Sequence, residues 1–380
     1  MLVPFGATLT TVLGATQALG TMVPTNAIEN LLQPVARLLL AAGIALGASG
    51  SFYVPLTWTL PAVAGLVVGL PWLETLVRRS ETGIAETGGR SVRTIAREFW
   101  VFTSVRAFGT IIQMALIWLD VLLVGALASA REAGVYAVAS RYIIAGTLIN
   151  TALLNVFAPE VSASFARRDI REVKHLYQKA TLWVMAASLP LYFLMAIYAP
   201  LLVKIFGPAF ESGQHALIVL SLAMSLTMTV GPVMTVLLMG GRSAWNIVDV
   251  TTALVLNIGM NVVLVPRFGI TGAAVAYGAS ILVFNALPLA QVFHWWRLHP
   301  FDRGHALLLG LCLACFGGLA VALRIWIGPT LTGFVAALSI GAVSYVAALW
   351  LLRSVIDLGL RLPFRFRHAR ASLAGRPPST

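Results

Sequence analysis

The stretch SVRAFGTIIQMALIWLDVLLVGAL, residues 104–127, decides how the rest of the chain is read. At about 1.5 Å per residue it is long enough, as a helix, to cross the roughly 30 Å hydrocarbon core of a bilayer. It nevertheless carries Arg106 near one end and Asp120 well inside the other. Lipid strips charge from spanning segments, and ionisable residues that survive there face protein or water. Thr103, Arg106, Thr110, Gln113 and Asp120 follow one another at helical spacing and fall along one face. The opposite face, with Ile111, Ala115, Leu122 and Ala126, is apolar. A membrane helix with one polar stripe is a wall of something wet or well packed.

The surrounding composition agrees. Of 380 residues, 59% are hydrophobic and 11% charged, with a mean hydropathy of +0.88. Soluble domains run near half apolar and about a quarter charged, so the chain reads as an all-α polytopic membrane protein. Apolar runs predict about eleven transmembrane helices, near 2–22, 31–50, 54–77, 107–128, 134–157, 180–203, 213–239, 244–265, 270–293, 304–324 and 331–352. No charged leader with a small-residue cleavage site opens the sequence, so the spans would serve as their own insertion signals. Prolines at 61, 190, 232 and 288 fall within spans and permit bending there.

A net charge of +12 raises nucleic acid as a partner, but position argues against it: the cations sit in short loops and a tail between apolar runs. One set of loops and the tail hold 19 Lys and Arg residues, the alternate loops four. Positive residues collect on the cytoplasmic side, which puts the C-terminus there and residue 1 outside. The basic tail, RLPFRFRHARASLAGRPP (361–378), suits contact with anionic membrane lipids.

Cys312 and Cys315 form a C-x-x-C pair without the further ligands a metal site needs, which favours packing. The six histidines show no ligand spacing, and there is no G-x-S-x-G, Walker-type or dinucleotide-binding motif. No metal, cofactor or ATP site is expected, and a driving force would come from a gradient, the substrate or another protein.

The remaining candidates are polar groups inside spans. Asp120 and Arg141 stand at equal depth on neighbouring antiparallel helices, which predicts an ion pair between them. Arg37, Arg106, Gln113, Arg141 and Asn155 are candidate cavity residues, and Asp120 and Asp249 are candidate structural or coupling charges. Ser221, Ser225, Asn246, Asn257 and Asn261 add polarity, which in membranes is often glue between helices.

Residues 118–139, WLDVLLVGALASAREAGVYAVA, combine an intramembrane Asp, a Gly and a G-x-Y. With LLMGGRSAWN (237–246) and VPRFGITGAAVAYG (265–278), they resemble the polysaccharide-biosynthesis (Wzx-type, O-antigen) flippases of the multidrug/oligosaccharidyl-lipid/polysaccharide exporter superfamily. That resemblance implies two six-helix lobes around a cationic cavity that opens alternately to either side of the bacterial plasma membrane. The cargo it implies is an oligosaccharide on undecaprenyl pyrophosphate, with polysaccharide polymerase or ligase proteins as partners. Arg106 and Arg141 would line the second lobe's wall and Arg37 the first lobe's. Asp249 departs from the pattern, since a neutral polar residue is usual there.

By the same resemblance, 1–98 corresponds to the last part of a first lobe, about three spans, plus a cytoplasmic loop. Residues 99–299 form a second six-helix lobe, 300–353 two additional helices and 354–380 the tail. The expectation is a remnant of a two-lobed bundle, arising from an internal start at Met1 or from a truncated gene. A cation- or proton-coupled multidrug-type antiporter is the alternative, along with a non-transporting scaffold in an export complex. A membrane enzyme would need an ordered outer loop, and the connections are short.

Overall fold

The computed structural model describes residues 3–18, 21, 23–47, 54–81 and 92–352. The basic tail and most of the charged loop after residue 81 lie outside the described residues. Among the described residues the chain is helical throughout, and each of the eleven predicted runs overlaps helix. Among the described residues seven helices are long and apolar enough to cross a membrane by length and composition, and one of them, Ala244–Trp296, is 53 residues long and takes in two of the predicted runs. The all-α polytopic reading therefore stands.

The chain divides into two compact units, Met1–Phe99 and Trp100–Thr380. In the first, α1 (Val3–Ala18) leads through the single turn α2 (Val23–Thr25) and a π-helical stretch, Asn26–Leu32, into α3 (Gln33–Gly47) and α4 (Val54–Glu81). Its core is small: Leu9, Val12, Leu13, Ile28, Ala62 and Leu66. Gly65 lets α4 approach closely, because a Cβ there would meet Leu9 and Ile28 side chains at 2.8 Å. Leu31, Leu38, Leu39 and Val67 point outward, as they should where the solvent is lipid.

In the second unit, α5 (Val92–Leu127) and α6 (Ala130–Ala166) form a long hairpin. Ser129 ends the turn between them by accepting from the Glu132 amide at 3.1 Å, a cap that satisfies a free N–H at the start of α6. Next come α7 (Ile170–Ile197), α8 (Ala199–Lys204), α9 (Gln214–Val230) and α10 (Val233–Met239). The predicted span 213–239 is thus interrupted. Gly231 takes a positive φ of 67° and Pro232 offers no amide to continue the ladder, so α9 stops and α10 restarts.

α7 is the hub of this unit, with Met185, Leu189 and Tyr192 fully buried, as is Tyr198 just past its end. Tyrosines of this segment tie the bundle through hydroxyls that donate to carbonyls elsewhere: Tyr177 to Val230 at 2.9 Å, Tyr192 to Ile143 at 3.3 Å and Tyr198 to Gly333 at 2.9 Å. Where apolar surface gains nothing by leaving lipid, such bonds and tight packing hold helices together.

α11 (Ser243–Trp296) is continuous by hydrogen bonding but is two helices. Gly269 has φ 55° and ψ −138°, outside helical space. A Cβ on Gly272 would collide with the Leu264 carbonyl, eight residues earlier, which a straight helix holds about 12 Å away. Asp249 meets Gln291 and Trp245 meets Trp295, contacts symmetric about the same glycine. The chain therefore folds back on itself as an antiparallel hairpin, as the two runs 244–265 and 270–293 predicted.

α12 (Arg303–Cys312), a π-helical turn, Leu313–Gly318, and α13 (Leu319–Ile327) form the next crossing, and α14 (Leu331–Leu351) the last. Cys312 and Cys315 are free buried thiols, and Cys312 lies 3.6 Å from the Tyr345 hydroxyl, in line with a packing role.

Candidate functional site

Asp120 is 1% exposed and sits between α5, α6 and α11. Tyr136 on α6 donates its hydroxyl to Asp120 Oδ2 at 3.3 Å, and Asn261 on α11 donates its amide to Oδ1 at 2.7 Å. The same Asn261 nitrogen also reaches the Asn257 carbonyl at 2.9 Å and Oδ1 at 3.2 Å. Asn257 and Asn261, four apart, present both amides on one fully buried face. Ser140, Ile143, Ile144, Leu220 and Tyr277 close a small cavity against Asp120 and Tyr136, with room for about one water. Asn257 Nδ2 and Asn261 Oδ1 are buried with no hydrogen-bond partner among the described residues. Unpaired polar atoms are costly in a dry interior. This cluster is therefore poised to take up another polar group.

The predicted Asp120–Arg141 ion pair does not form. Tyr136 holds the position facing Asp120, and Arg141, five residues later, is turned about 140° around α6. Equal depth brought the two to the same level, but helical phase set them on different faces. Arg141 is exposed, and its guanidinium lies over the Trp118 ring, 4.6 Å from the centroid. No carboxylate among the described residues pairs with it. Ser140, Thr147 and Thr151 nearby bond their own helix carbonyls, which leaves the Arg141 charge unneutralised on this face.

The other candidates separate. Arg37, half-buried on α3, donates to Gln33 Oε1 at 2.5 Å. The side chains of Arg106, Gln113 and Asn155 lie outside the described residues. Asp249 is fully buried on the first half of α11, where Gln291 donates to its Oδ1 at 2.6 Å. Among the described residues no three His, Cys, Asp or Glu side chains converge as metal ligands.

Sequence reasoning missed Tyr136, Tyr277 and Gln291 as members of these clusters. The signal for two of them was present: Tyr136 is the tyrosine of the G-x-Y, and Tyr277 closes AVAYG. The Asp and Tyr of that motif are hydrogen-bonded partners, which is the physical reason they occur together.

Comparison with known proteins agrees with the resemblance read from these motifs. A family model described as "Polysaccharide biosynthesis protein" matches residues 89–213, which include Asp120, Tyr136 and Arg141. The chain is 25% identical over 229 residues to the "Probable low-salt glycan biosynthesis flippase Agl15" of Haloferax volcanii. That match covers 59% of this chain and 46% of the relative, so the chain spans less than half of the curated relative it matches. The fold is that of a solved structure titled "Lipid II flippase MurJ, inward closed conformation", with a TM-score of 0.66 at 11% identity. The superposition covers 93% of this chain and 72% of that one.

Proposed function

We propose that the chain is a flippase, or part of one, that moves a lipid-linked glycan across a membrane by alternating access. The observation that carries this reading is Arg141. It is a cation with no carboxylate partner among the described residues, held against an aromatic ring on an exposed face. An uncompensated arginine there suits an anionic phosphate-rich headgroup, which its planar fork of donors can grip bidentately. A site for cationic drugs would instead present an unpaired acid on an accessible face, whereas Asp120 and Asp249 are both buried and each already accepts a hydrogen bond.

The finer reading is an undecaprenyl-pyrophosphate-linked oligosaccharide carried to the outer leaflet of a bacterial plasma membrane. In this reading the C-terminus is cytoplasmic, Arg106, Gln113 and Asn155 add polar wall beside Arg141, and Arg37 belongs to the wall of the first unit. The positive-inside asymmetry of the loops supports it. Polymerase or ligase proteins would receive the delivered glycan.

The test compares Arg141→Ala with Arg141→Lys in cells that depend on this protein for surface glycan. Arg141→Ala should lower export by about tenfold or more, the scale of removing one charge-assisted hydrogen bond. Lys should recover part of it. Full export by the Ala variant at equal protein level would remove the reading.

The Asp120 cluster favours a second feature, coupling to a small cation. Three oxygens, Asp120 Oδ1, Asn257 O and Asn257 Oδ1, surround the Asn261 amide nitrogen at 2.7–3.2 Å. Rotating that amide would free the same oxygens for a hard cation. Export that is unchanged when sodium is replaced by choline would count against sodium as that ion.

A further inference from the structure

We infer that Asp249 and Gln291 form a proton-binding site, separate from the Asp120 cluster, in which a carboxylic acid and an amide close a ring of two hydrogen bonds. One of the two bonds is present: Gln291 Nε2 donates to Asp249 Oδ1 at 2.6 Å. The other half is conspicuous by what it lacks. Asp249 Oδ2 and Gln291 Oε1 are both buried and both without a partner among the described residues. They are the second atoms of two groups already joined by their first. Two oxygens so placed are both acceptors and cannot satisfy each other, but one hydrogen between them would satisfy both. Proton uptake from water supplies it. The Asp249 carboxylate takes one H⁺ on Oδ2, and the new O–H donates to Gln291 Oε1 while the amide N–H continues to donate to Oδ1.

The surroundings offer an ionised Asp249 little else. The residue is 0% exposed, and the following residues of its helix, Val250 and Ala253, belong to a buried apolar cluster with Leu116. Charged groups on the elements packed around it are engaged or remote. On α11, Arg242 lies over Trp295 at 4.7 Å and His294 is exposed, while Arg267 is at the far end by the Gly269 turn. On α9 the titratable residue is His215, at that helix's first turn and exposed; α10 has none. On α6, Arg141 is over Trp118 and Glu160 is exposed. On α5, Asp120 belongs to the Tyr136–Asn261 cluster, Arg93 and Arg97 are exposed, and the Arg106 side chain lies outside the described residues. A carboxylate without a cation in such a place is expensive, and the neutral pair removes the charge.

Position makes the site usable. Asp249 is six residues from the start of α11, about 9 Å along its axis, and Gln291 stands at the same level on the returning half. The edge-to-face pair Trp245–Trp295, 5.4 Å between ring centroids, lies between the site and that end of the hairpin. Movement of the two halves against each other would break or make both hydrogen bonds at once, which links the proton to conformation. Asn257 and Asn261 are eight and twelve residues further on, about 12 and 18 Å away along the helix, so the two clusters can load independently.

Infrared spectroscopy of the full chain in lipid nanodiscs reads the proton directly, whatever cargo the protein carries. Wild type should show a carboxylic-acid C=O band that shifts in D₂O and fades as the sample is taken from about pH 5 to about pH 9, where buried carboxyls are known to titrate. Asp249→Asn, nearly isosteric with the loaded acid, should lose the band, Asp120→Asn should keep it, and Gln291→Leu should move it by removing both hydrogen bonds. Three results would overturn the proposal: no acid band in wild type anywhere in that range, a band that survives Asp249→Asn, or one that neither exchanges nor titrates. Because the readout needs no transport, its failure is distinct from failure of the flippase reading.

Discussion

At the residue scale, Tyr136 shows how a buried acid is made tolerable without a counter-charge. Its hydroxyl and the Asn261 amide share the Asp120 carboxylate, and the neutral donors do what Arg141 was expected to do. Tyr136→Phe removes one donor and takes from Oδ2 its hydrogen bond in a buried site. It should lower stability by about 1.5–3 kcal/mol, the range for hydrogen bonds to charged groups. Ser140→Ala, whose hydroxyl bonds the Ala137 carbonyl of its own helix, should change little. Thermal unfolding of the two variants in one detergent would compare them. The absence of an Asp120–Arg141 pair carries its own prediction. The double variant Asp120→Arg, Arg141→Asp should recover neither folding nor export, since it buries a cation among donors and puts an acid on Trp118. Export restored by the swap would show the two side chains to be partners after all.

At the scale of elements, the hairpin in α11 hangs on one glycine. Gly269 combines φ 55° with ψ −138°, a region that side chains avoid, and a Cβ there would also press within 3.1 Å of Glu132. Gly269→Ala should therefore cost about 1–3 kcal/mol in backbone strain. Gly259→Ala in the same element has open space around its Cβ and should be neutral or slightly stabilising. A melting comparison of these two alanines isolates the turn from composition. The VPRFGITG segment (265–272) thus carries structure rather than chemistry: Pro266 and Gly269 bring the chain round so that Asp249 and Gln291, 42 residues apart, come level.

At the scale of the whole molecule, the outward apolar surface is the largest feature. Ile325, Trp326, Val343 and Leu351 are among many large side chains that no other described element covers. A soluble protein could not carry them, while lipid solvates them at no cost. Val343, 71% exposed, lies well inside α14 and far from both its ends. Val343→Arg should penalise insertion by about 2.5–3.5 kcal/mol if that face meets lipid. Membrane-integrated yield measured against Val343→Leu would show it, and equal yields would mean the face is covered or wet.

The existence and apolar character of the spans were legible in sequence, because hydrocarbon imposes a length and a composition on any helix that crosses it. So was the need of Asp120 and Asp249 for partners, because charge in a span always needs an explanation. Their partners were not legible. Depth can be counted along a chain, but which face of α6 meets α5 depends on helical phase fixed by packing over many residues. A turn of about 140° decided that Tyr136, not Arg141, reaches the acid. The orphaned oxygens of Asp249 and Gln291 likewise exist only once a glycine turn has folded two distant turns of helix against each other. Sequence alone determined that this chain lives in a bilayer and hides acids there. Tertiary structure decided which acid is satisfied, which arginine is left free, and where a proton could bind, because those depend on side-chain direction.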